Sequence, residues 1–169
     1  MAGSGHPART SKRAKETAMD FNKQDARSAA EIPRALHIKT PGGEPIMNGD
    51  GKPCLVYLIG ASSKSVQNAI RDEQRGKMKA PDAADGPQTL EDYQANAVAA
   101  AARVITGFEN IYDGTRPAKA PEDVAWFLNM NILQIATGPD GKTLLRKSFA
   151  QQVLEAAGDD AAFLAASPV

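Results

Sequence analysis

The run Gly60-Ala61-Ser62-Ser63-Lys64-Ser65 follows an apolar strand-like stretch and leads into a helix-like one. In that setting the backbone amides of a phosphate-binding loop cradle a nucleotide. Such a loop needs a second glycine directly before its lysine so that the backbone can wrap the phosphate, and here Ser63 holds the place. The loop is also too short, so the segment reads as a serine-capped helix start, with no nucleotide expected at Lys64. Acid–base or nucleophilic chemistry fares no better. His6 lies in a polar leader and His37 on the polar side of an alternating stretch, neither with a partner at readable spacing. Cys54 opens an apolar strand, where a buried, inert thiol is expected. One cysteine cannot build a disulfide framework within the chain, and two histidines cannot build a multi-histidine zinc site. The carboxylate pairs Asp72-Glu73, Glu91-Asp92, Glu122-Asp123 and Asp159-Asp160 are adjacent residues, which on a helix point about 100° apart and cannot clasp one ion. Three of the pairs fall near helix starts, where the macrodipole favours them. Asn48-Gly49-Asp50-Gly51 lacks the later glutamate of a calcium loop and reads as a turn. No catalytic residue, cofactor or metal is expected, and the chain reads as a non-enzymatic binding or assembly protein.

The elements that position these residues follow from composition and period. In 169 residues, 20 Lys plus Arg balance 20 Asp plus Glu, so the total charge asks for neither a nucleic acid nor a membrane. The hydrophobic fraction is an ordinary 42%, but only 5% is aromatic and much of the rest is alanine, which implies a helix-rich fold with a thin core. No apolar run approaches the roughly 20 residues of a membrane span, and no signal-peptide pattern follows the start, so a soluble, intracellular chain is expected. Residues 1–18 carry Arg9, Lys12, Arg13 and Lys15 against Glu16 with no apolar period, and read as a disordered basic leader.

Residues 19–169 read as one α+β domain, mostly helical. A small antiparallel β-ribbon of two or three strands over 35–60 comes first, with turns at Pro41-Gly42-Gly43 and Asn48-Gly49. Four or five short helices follow, at 62–79, 89–105, 121–136 and 143–157, with a last turn capped by Asp159. Thr89 with Asp92 approximates a capping box, and Leu90, Tyr93, Ala97, Ala101 and Val104 then share one helical face. Pro121 suits a first helical position, Thr143 caps the next helix, and Gly158 stops it.

The segment Phe108-Glu109-Asn110-Ile111-Tyr112-Asp113-Gly114-Thr115-Arg116-Pro117, followed by Ala120-Pro121-Glu122-Asp123-Val124-Ala125 and Phe127-Leu128, resembles the tail assembly chaperone-like proteins of siphophage morphogenesis clusters. Met19 to Lys23 is similar to the start of such proteins, Ile59 to Lys64 to their first helix start, and Asp160 to Leu164 to their ending. The likeness spans roughly residues 19 to 164, with Phe108 where tryptophan is common and Asp123-Val124 where Asn-Ala is common. It implies a small protein of the host bacterial cytoplasm that holds tape measure protein helices in solution until tail tube subunits polymerise around them. The implied partners are the tape measure and tail tube proteins, with a homo-oligomer left open and neither a membrane nor a specific nucleic acid expected. A structural tail or connector subunit retained in the virion tail is an alternative, as is a small phage-encoded inhibitor of a host protein.

Periodicity then separates partner surface from core. Val124, Phe127 and Leu128 make a continuous stripe, while Trp126 lies roughly 100° from Phe127 and falls off it. Trp126, Phe108, Ile111 and Tyr112 are accordingly the candidate partner-binding residues, with Phe127 and Leu128 assigned to the core.

Overall fold

The computed structural model describes residues 25–79, 89–131 and 136–166, so the basic leader lies outside the described residues. The arrangement is α+β, with six α-helices and small antiparallel sheets among those residues. Strand β1 (Arg34–His37) pairs with β2 (Leu55–Leu58), and β2 pairs on its other edge with β3 (Ile105–Glu109). The centre of the sheet is therefore the most apolar strand, with Val56 and Leu58 buried and Leu55 and Tyr57 half-buried, the alternation that period two imposes. Between β1 and β2 the chain curls through the bridges Lys39↔Pro45 and Met47↔Pro53. Asn48 Oδ1 closes the second turn by accepting from the Asp50 and Lys52 amides at 3.0 and 2.9 Å. Two strands of the sheet thus fall within or beside the 35–60 segment, whereas the third is supplied by residues beyond the next two helices and the short helix α1 (Ala26–Ala30) precedes them all.

Helix α1 (Ala26–Ala30) packs on α6 (Asp160–Ala166), and Arg34 lies 5.0 Å over the Phe163 ring. Helix α2 (Lys64–Lys79) buries Val66 and half-buries Ile70, and the Glu73–Arg103 ion pair ties it to the end of α3 (Leu90–Ala102). The capping box of α3 is present, Thr89 Oγ1 accepting from the Asp92 amide while Asp92 accepts from the Thr89 amide. Its expected apolar face is only half used: Ala101 and Val104 are buried, whereas Leu90 and Tyr93 are exposed. Helices α4 (Val124–Asn129) and α5 (Phe149–Ala157) both pack on α3, and the core between them and the sheet centres on Val56, Leu58, Val104, Phe127, Leu128 and Val153.

Two expected helices differ. Of the helix expected over 121–136 the described residues form Val124–Asn129: it starts late because Asp123 does not cap it, its carboxylate turning back to Arg116 instead, and residues 132–135 lie outside the described residues. The stretch expected as a helix over 143–157 splits into a hairpin strand and a shorter helix. Strand β7 (Leu144–Arg146) pairs with β6 (Ala136–Thr137), leaving β4 (Tyr112–Asp113) and β5 (Arg116–Pro117) as a third small sheet. Thr143 is not a cap, since its hydroxyl donates to Asp140, whose carboxylate also accepts the Lys142 and Thr143 amides and is held at a pKa of about 2 by those bonds. The cap of α5 is Ser148, with Gln151 completing a reciprocal box.

Candidate partner-binding groove

Strand β3 ends at Glu109, and the next residue reverses the chain. Asn110 sits at φ 58°, a left-handed conformation that asparagine tolerates better than most residues. Its side-chain Nδ2 donates to the Pro53 carbonyl at 2.9 Å, and its backbone carbonyl accepts the Cys54 S–H at 3.2 Å. Pinned in this way, the chain buries Ile111 and leaves Tyr112 49% exposed at the base of the β4–β5 hairpin. The Ala118 amide closes that base by donating to the Ile111 carbonyl at 2.9 Å.

The reversal forms one wall of an apolar groove of about 510 Å³. The lining also includes Phe127 of α4, Met130 just past its end, and the ribbon residues Ile38 and Ile46. Phe127 is stacked on Phe149 with centroids 4.8 Å apart and rings 7° from parallel. Met130 is 47% exposed, so two large apolar side chains, Tyr112 and Met130, lie at the mouth.

Of the four candidate residues, Ile111 and Tyr112 line this groove, the first as a buried residue. Phe108 is half-buried in β3 with its ring 5.2 Å from that of Phe127, and so reaches the groove only through it. Trp126 is half-buried, packs against the core and does not line the groove. Trp126→Ala is accordingly expected to cost about 1 to 2 kcal/mol in urea denaturation, above the roughly 0.5 kcal/mol of a free surface position. Met130 escaped the sequence reading, although its spacing from Phe127 continues the apolar stripe by one more turn.

The remaining chemistry-bearing segments are engaged internally. At the glycine-serine segment, the Gly60 amide donates to the Ala30 carbonyl and the Ala61 amide to the Ala157 carbonyl, both at 2.8 Å. The Ser65 amide and hydroxyl both donate to Glu31 at 2.8 Å, so a carboxylate of the chain itself occupies the start of α2, and these bonds lower its pKa. Burial pushes the Cys54 thiol up, away from the thiolate form. His37 Nε2 lies 3.0 Å from the Ile46 carbonyl. Among the described residues no group of three or more His, Cys, Asp or Glu side chains is placed to hold a metal, and no helix is long and apolar enough to cross a membrane.

The chain matches no protein-family model, curated protein or solved structure. Among the described residues the fold is α+β and carries an apolar groove whose lining includes the stacked rings of Phe127 and Phe149.

Proposed function

We propose that this protein is a non-enzymatic tail assembly chaperone of a tailed bacteriophage, acting in the host bacterial cytoplasm, and that its groove receives apolar helical segments of the tape measure protein before tail tube subunits polymerise. The observation that carries the reading is the groove itself: an aromatic and aliphatic lining with Tyr112 and Met130 left half-exposed at its mouth. An amphipathic helix docks in such a groove through side chains at three- and four-residue spacing, which bury in the floor while its polar face stays in water. The resemblance of residues 19–164 to tail assembly chaperone-like proteins supplies the identity of the partner.

Co-expression with a tape measure fragment tests the reading. Met130→Asp places a charge at the groove mouth on a side chain already half in water, so the protein is expected to stay folded while losing co-purification with the fragment. Undiminished co-purification by a folded Met130→Asp protein overturns the reading. Mass spectrometry of purified particles separates the two phage roles, because a chaperone is absent from the finished tail and a structural tail subunit is present in it.

A further inference from the structure

Beside the start of α2 lies a smaller recess, of about 190 Å³, that shares no residue with the groove. Ser62, just before the helix, and Lys64, Gln67, Asn68 and Arg71 on it line the recess together with Arg27 of α1. Lys64, Asn68 and Arg71 follow at steps of four and three, which puts them on one helix face, with Val66 on the side that enters the core. All six lining side chains carry a hydrogen-bond donor and three are cations, with no carboxylate and no apolar residue among them. Other cations of this region are neutralised: Lys77 and Arg103 pair with Glu73, and Arg75 lies 3.8 Å from Asp72. Arg27, Lys64 and Arg71 form no ion pair among the described residues. The carboxylates around the recess are taken up by other donors. Asp25 accepts from the Arg27 amide and the Ser28 hydroxyl, Glu31 from the Ser65 amide and hydroxyl, and Asp160 from the Ser62 hydroxyl at 2.6 Å. The Asp25 and Glu31 carboxyls are lowered first by those serine bonds and less by the charge of Lys64. Gln67 is also engaged, donating to the Ala61 carbonyl at 2.9 Å, and Arg71 makes only a long bond to Asn68 at 3.5 Å.

A recess lined by one sign of charge focuses its field and concentrates counter-ions. This one has no apolar wall to take a ring or a chain, and its volume is below the roughly 300 Å³ at which sites for drug-sized ligands begin, so the ligand it suits is small and anionic. Arginine forks match the paired oxygens of a phosphate, and lysine adds a point charge. We infer that the recess is a binding site for a compact phosphate-class oxyanion, held by Arg27, Lys64 and Arg71 through their side chains alone. Main-chain amides are not needed, and the Ser65 amide is already held by Glu31. Free phosphate and a phosphate on a nucleic-acid strand offer the same chemistry. The free ion is favoured because the three cations line one hollow, while Arg75, the next cation on that helix face, lies outside it and is paired with Asp72.

The test titrates orthophosphate into the isotope-labelled full chain at constant ionic strength and follows amide and arginine Nε–H resonances by NMR. Saturable shifts are expected at Arg27, Lys64, Asn68 and Arg71, with sulfate competing and chloride without effect. Arg27→Gln, Lys64→Gln and Arg71→Gln are each expected to weaken binding about tenfold, the loss of one charge-assisted bond. All three positions are exposed, so the fold is expected to survive, and should one variant fail to fold the other two carry the test. Arg75→Gln is the control and is expected to change affinity less than about twofold, since it removes the same charge outside the recess. Equal weakening by Arg75→Gln reduces the effect to a general attraction for anions and overturns the inference. Unchanged orthophosphate shifts in the three recess variants overturn it too. Binding of a DNA duplex without any binding of orthophosphate assigns these cations to a polymer and likewise ends the proposal.

Discussion

Phe127→Ala is expected to lower the unfolding free energy by about 3 to 5 kcal/mol, the largest effect of any single truncation considered for this chain. The ring is 2% exposed and sits between two others, stacked on Phe149 at 4.8 Å and tilted by 58° against Phe108 at 5.2 Å. Truncation removes its transfer free energy, leaves a cavity between α4, α5 and β3, and forfeits two ring pairs worth about 0.5 to 1.5 kcal/mol each beyond burial. A chain with so few aromatic residues has little with which to refill the space. Urea denaturation reads the change as a lower midpoint at nearly constant slope. A loss below about 1 kcal/mol would mean that the surrounding rings collapse onto the vacancy, and would contradict the packing described.

Gly60→Ala is expected to cost about 3 kcal/mol, the upper end of what overpacking incurs. A methyl group there would lie 2.6 Å from the Ala30 Cβ, 3.2 Å from the Ala30 Cα and 3.3 Å from Phe163 Cδ2. The nearest atoms belong to the backbone of α1 or are rooted directly on it, so no flexible side chain can swing aside. Relief demands that α1 retreat, which stretches the Gly60 amide bond to the Ala30 carbonyl and opens the contact of α1 with α6. Gly76→Ala provides the contrast. Nothing lies within 4 Å of a methyl group there, the site is interior to α2, and alanine is expected to stabilise it by about 0.5 to 1 kcal/mol. Equal melting temperatures for the two variants would refute the steric account.

The features legible in the sequence are those that short-range backbone bonding decides. The Thr89–Asp92 box, the turn at Asn48 and the assignment of Phe127 and Leu128 to the core all follow from residues within a few positions of one another. Thr143 shows how such reasoning misleads: its spacing suits a cap, yet Asp140 three residues earlier competes for the hydroxyl and bends the segment into a hairpin. Ser148-Phe149-Ala150-Gln151 carried the correct signal for α5. The groove was only partly legible because its lining comes from the ribbon, the Asn110–Tyr112 reversal, α4 and the first residue of α5. Ile111 and Tyr112 stood out as apolar residues in a turn-rich segment, and Met130 was marked only by its spacing from Phe127; Ile38 and Ile46 had no local property that set them apart. The Arg116–Asp123 pair was likewise hidden. Asp123 read as a helix-start carboxylate, and nothing local ties it to an arginine seven residues earlier across a turn.

The insertion of β3 beside β2 has a consequence for chain entropy. Tyr57 donates its hydroxyl to Glu109 across 52 positions of sequence, and everything between, including α2 and α3, is a closed excursion from two neighbouring strands. The entropy of closing such an excursion grows only with the logarithm of its length, so doubling it costs about 0.6 kcal/mol. Length added between the two helices therefore costs little entropy, whereas α3 itself is held by the core, with Ala101 buried and α4 and α5 packed on it.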